Sequence, residues 1–206
     1  MEWIFEGLLA GLNQMTWIET IAFIFGVTSV WYEKQENILV FPTGLVNVTL
    51  SIYICYKALL FADMGINGYY VLMSIYGWIN WSRKRDGCTL PITRSNFSDL
   101  FKSAVLTGSS FLVLYFGLKN FTNSDVPLWD ALTTSFFITA MWLVARKKFE
   151  NWHFWIIGNL ISVPLYFSKG LILFSLQYLI FLVLAIAGLV AWRKKIERGT
   201  FPTKVV

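Results

Sequence analysis

Apolar residues in this chain come in long runs. Seven stretches, at 16–32, 37–61, 66–82, 97–118, 129–145, 152–169 and 171–193, are dense in Leu, Ile, Val, Phe and Trp and are bounded by charged or polar clusters. Each approaches the roughly 20 residues a helix needs to cross hydrocarbon. Residues 1–13 (MEWIFEGLLAGLN) instead predict a short amphipathic helix at the interface. They lack a basic n-region and a cleavage motif, so they do not read as a signal peptide. The pattern predicts an all-α integral membrane protein of one domain, 1–206, with seven transmembrane helices and a cytoplasmic tail at 194–206.

Composition agrees. Of 206 residues, 56% are hydrophobic, 18% aromatic and 14% charged, with mean hydropathy +0.58. A soluble domain carries about 25% charged residues, and a chain this size cannot hide so much apolar surface in one core. Two cysteines do not make a disulfide scaffold; Cys55 and Cys88 fall on opposite sides of the membrane. The net charge of +5 is located by numbering the loops alternately. One side receives 14 basic residues, including Lys34, Arg83, Arg94, Arg146, Lys147, Lys148, Lys194 and Lys195; the other receives only Lys57, Lys119 and Lys169. Positive charge stays inside, which puts the N-terminus outside and the C-terminus in the cytoplasm. The charge reads as a topology signal facing anionic headgroups, and no nucleic-acid partner is needed.

Self-comparison suggests a duplication. Glu36-Asn37 and Glu150-Asn151, Gly44 and Gly158, and Trp78 and Trp192 all stand 114 residues apart. The chain then reads as two three-helix blocks, 16–82 and 129–193, joined by a linker helix at 97–118 (3+1+3). An odd linker gives both blocks one orientation, an arrangement transporters use with the site between halves. A scaffold built by duplication is the plainer alternative.

The spans hold no central Asp, Glu, Lys or Arg; Glu19, Asp130 and Glu150 sit at span ends, and Glu19 and Asp130, at the outer ends of spans one and five, cap helices or attract cations. The one histidine, His153, cannot make a metal site or a nucleophile–base pair. The sequence therefore predicts neither an enzyme nor a cofactor, and offers no evident means of proton coupling. Aromatic and neutral polar residues are what remains. Trp152, Trp155, Asn159, Ser162 and Tyr166 follow one helical stripe. Thr43, Asn47 and Ser51 are spaced by four in span two. Tyr69, Met73, Tyr76 and Asn80 share a face of span three, and Gln177 is the deep polar residue of span seven. Indoles, hydroxyls and amides suit a flat, polar or cationic ring. They equally suit interface anchoring and helix–helix hydrogen bonding.

Glu-Asn-Trp-x-x-Trp-x-x-x-Asn at 150–159, Leu165-Tyr166-Phe167-x-Lys169-Gly170 and Gly77-Trp78-x-x-Trp81 resemble the PnuC family of bacterial vitamin transporters, over essentially the whole chain after residue 15. The resemblance implies a fold like a full-length SWEET sugar transporter and a homotrimer. It implies inner-membrane uptake of nicotinamide riboside by facilitated diffusion, with a cytoplasmic kinase trapping the product. It also supports Trp152, Trp155 and Asn159 as substrate contacts. Some family members take up thiamine instead, and the residues do not separate the two vitamins.

Overall fold

The structure is a computed structural model that describes residues 7, 9, 11–13, 15–83, 89–122 and 125–199. Most of the expected interfacial helix, Cys88 and the tail from 200 lie outside the described residues. Among the described residues seven long helices follow one another: α1 (Trp17–Gln35), α2 (Val40–Lys57), α3 (Phe61–Ser82), α4 (Phe97–Phe121), α5 (Pro127–Ala145), α6 (Asn151–Ser168) and α7 (Ile172–Glu197). They overlap the seven expected runs with ends moved by a turn. Of these, α4, α5 and α7 are long and apolar enough to cross a membrane by length and hydropathy alone.

Local chemistry sets the ends. Thr16 and Glu19 close a capping box on α1, Asn96 and Asp99 another on α4, and Pro127 opens α5. Pro42 falls in the first turn of α2, where its missing N–H costs nothing. Pro164 lies inside α6 and leaves the Leu160 carbonyl without its helical donor. Chain neighbours from α1 to α3, and from α4 to α7, pack on each other; α1 also packs on α7, and α3 on α5.

The same contacts recur in α1–α3 and α5–α7 at a spacing of 111 residues and not 114. Trp81 Nε1 donates to the Val144 carbonyl and Trp192 Nε1 to the Glu33 carbonyl, each at 3.0 Å. Phe41 meets Trp81 edge-on at 5.1 Å, and Trp152 meets Trp192 edge-on at 5.5 Å. Gly77 lies under Phe41 as Gly188 lies under Trp152. Left-handed residues end α1 and precede α6 at Glu36 and Lys147, and Leu59 matches Gly170 in the same way. Every one of these pairs is 111 apart. The expected match of Trp78 with Trp192 is corrected to Trp81, the indole that is buried and hydrogen-bonded as Trp192 is. Trp78 is 41% exposed.

The buried core gathers these residues at the end where α1 and α5 finish: Val40, Phe41, Trp81, Val144, Trp152, Ala185 and Trp192. Ion pairs lie around it. Glu36 binds Lys147 at 2.8 Å and Lys195 at 2.9 Å; Asp99 binds Arg146 at 2.8 Å and Lys148 at 2.9 Å. Burial pushes the Lys147 ammonium below the usual lysine range, and Glu36 opposes that shift. Its Nζ also donates to the Leu90 carbonyl and sits 4.5 Å from the Trp81 ring.

Candidate functional site

The packing that closes one end leaves a cavity of about 1200 Å³ between the two helical blocks. Its floor is Glu33, Phe41, Val144 and Ala185, against the core. Its far rim is Leu59, Leu60, Phe121, Thr122 and the Asp130–Lys169 pair, in which Nζ lies 3.2 Å from Oδ1. One wall is a run of aromatic rings: Trp155 against Phe137 at 5.6 Å, Phe137 stacked on Tyr178 at 6.0 Å, and Tyr178 on Tyr166 at 4.9 Å. Gly158 makes room for Phe137, since a Cβ there would lie 2.3 Å from its ring.

Of the side chains singled out from the sequence, Trp155, Asn159, Tyr166, Asn47, Ser51 and Gln177 line this cavity. Asn47 donates its Nδ2 to the Ala22 carbonyl at 2.7 Å, and Asn159 to the Trp155 carbonyl at 2.7 Å, so each presents chiefly its acceptor oxygen.

The others are not on its wall. Trp152 is fully buried against Gly188 and Trp192. Ser162 is buried within the bundle. Thr43 donates to the Leu39 carbonyl of its own helix. Tyr76 is 44% exposed on the outside of α3. Asn80 joins α3 to α5 through the Ala145 carbonyl at 3.0 Å, and Tyr69 does the same through Ile138. The face expected of span three is thus one residue out of phase: Asp63, Ile66, Asn67, Tyr70 and Ser74 face the cavity.

Sequence reasoning missed Glu33, Phe137, Tyr178 and Phe181. A span ending at residue 32 left Glu33 in a loop, whereas the left-handed Glu36 cap carries α1 on to Gln35. The adjacent Thr133 and Thr134, inside an otherwise apolar run, were the available signal that α5 shares the cavity. Among the described residues no cluster of three or more His, Cys, Asp or Glu side chains is placed to hold a metal.

Residues 16–194 match the family of nicotinamide mononucleotide transporters. The chain belongs to that family. The transporter is 28% identical to the nicotinamide riboside transporter PnuC of Escherichia coli, over 93% of this chain and 91% of that one. It is 23% identical to PnuC of Neisseria mucosa, covering 90% of this chain and 75% of that one. It is also 24% identical to the riboflavin/roseoflavin transporter RibM of Streptomyces davaonensis, covering 91% and 97%. The crystal structure of the vitamin B3 transporter PnuC superposes with a TM-score of 0.72 at 21% identity, over 95% of this chain and 91% of that one. The shared fold is all-helical. The protein is accordingly a multi-pass membrane transporter and not an enzyme.

Proposed function

We propose that the transporter imports nicotinamide riboside across a bacterial inner membrane by facilitated diffusion, the product being trapped by cytoplasmic phosphorylation. The observation that carries this reading is the aromatic-walled cavity, which supplies stacking surfaces from Trp155, Phe137 and Tyr178 and acceptor amides from Asn47 and Asn159. A pyridinium ring bearing a carboxamide and a ribose matches that chemistry.

The fold is read as seven spans, two parallel triplets α1–α3 and α5–α7 joined by α4, as in SWEET-type carriers. The reciprocal α1–α7 and α3–α5 contacts support it. The N-terminus is outside and the C-terminus cytoplasmic, which places the core, the ion pairs and the cavity floor on the cytoplasmic side. Substrate contacts are assigned to Trp155, Asn159, Tyr166, Asn47 and Gln177. Assembly as a homotrimer fits α4, which packs mainly on α5 and leaves Phe97, Phe101 and Leu112 exposed.

The test is thermal stability of the purified transporter with nicotinamide riboside, thiamine, riboflavin and nicotinamide mononucleotide. A ligand bound only by the folded state raises the melting temperature by mass action. A rise with nicotinamide riboside is expected. A rise with riboflavin alone would follow the RibM relative and reassign the vitamin, as would one with thiamine alone. No rise with any of them overturns the reading.

A further inference from the structure

Glu33 sits in the last full turn of α1, only 3% exposed, and is among the residues lining the cavity floor. Its Oε1 has no hydrogen-bond partner. The indole N–H of Trp155 faces the carboxylate but completes no hydrogen bond either. The nearby cations are engaged elsewhere: Lys147 with Glu36, and Lys34 over the Trp31 ring at 3.8 Å. Among the described residues the only cation lining the cavity is Lys169, at the opposite rim and paired with Asp130.

The repeat shows that the fold does not ask for this carboxylate. The position 111 residues on is Val144, which fills the same structural role, because its carbonyl receives Trp81 as the Glu33 carbonyl receives Trp192. A valine side chain suffices there. A buried carboxylate without a cation is expensive, and an ionisable group in such a place marks a binding site.

We propose that Glu33 is the group that recognises positive charge in the ligand, acting as counter-ion to a cationic aromatic ring held against Trp155. This rests on the proposed uptake of nicotinamide riboside and adds what selects it. The ring is bound for its charge as well as its shape, and an uncharged ring of equal size is rejected. Trp155 alone would stack either form, with a modest preference for the cation. The carboxylate supplies the larger discrimination, because its attraction acts where water is excluded.

Binding of nicotinamide riboside and of its reduced, uncharged form to the purified full-length transporter tests this by calorimetry. The two ligands keep the same substituents and nearly the same size but differ in charge and in ring aromaticity, so the effect of Glu33→Gln on each is what isolates the charge. Wild type is expected to favour the cation. Glu33→Gln is expected to weaken the cation by about 10- to 100-fold while leaving the reduced form unchanged. Glu33→Val, which copies the residue at Val144, should fold as wild type does and give the same pattern. Equal losses for both ligands, or no loss for either, overturn the proposal. Thiamine (cationic) and riboflavin (neutral) form a second pair. If wild type binds neither form of nicotinamide riboside, that substrate fails, and the second pair still decides the role of Glu33. Loss of thiamine binding on Glu33→Gln upholds the role, and a wild-type preference for riboflavin overturns it.

Discussion

Trp152 and Trp155 are one helical turn apart in one motif, yet their surroundings assign them different work. Trp152 is sealed between Gly188 and Trp192, whereas Trp155 stands on the cavity wall. Trp152→Ala should cost about 3–5 kcal/mol of stability and lower the yield of folded protein. Trp155→Ala should leave the melting temperature near wild type and remove most ligand binding. Thermal unfolding and calorimetry on both variants check this; a reversed pattern would exchange the two roles. The motif was legible in the sequence, but the division within it was not. Helical spacing gives angle around the axis, while the cavity floor is set by depth, through the rings of α7.

At the scale of helices, close approach depends on glycine. A Cβ on Gly188 would lie 2.3 Å from the Trp152 ring, and one on Gly77 equally close to Phe41. Gly188→Ala and Gly77→Ala should each destabilise by about 1–3 kcal/mol. Gly65→Ala, with nothing within 4 Å, should be neutral or slightly stabilising, and melting curves of the three variants compare them. The helices themselves were readable because continuous apolar runs interrupted by Lys, Arg and Asn mark their ends. The faces were less so. Tyr69 and Asn80 look like site residues by type, but their polar atoms are used to tie α3 to α5. In a setting without water, a buried donor satisfies the nearest carbonyl first, and sequence spacing does not reveal which carbonyl that is.

For the molecule as a whole, the crossed indole bonds are the main mechanical feature. Trp81 reaches from α3 to α5, and Trp192 from α7 to α1, with their rings 6.2 Å apart. Trp81→Phe and Trp192→Phe each remove one donor and keep a ring, at about 1 kcal/mol apiece. Because the rings touch, the double variant should deviate from additivity by about 0.5–3 kcal/mol in unfolding measurements; strict additivity would show two independent pins. The 111-residue spacing of these contacts was not legible in the sequence, where the look-alike residues stand 114 apart. Residues that look alike, such as Glu36 and Glu150, have different duties: Glu36 holds Lys147 and Lys195, while Glu150 accepts from the Ser95 amide. The positions that do correspond have often diverged in type, as Phe41 and Trp152 have. The divergence extends to the cavity, where Trp155 corresponds to Gly44, and Glu33 to Val144. A two-fold vestibule with matched walls would accept a guest in either of two equivalent poses. Here the halves are unequal, so the guest has a single way to sit.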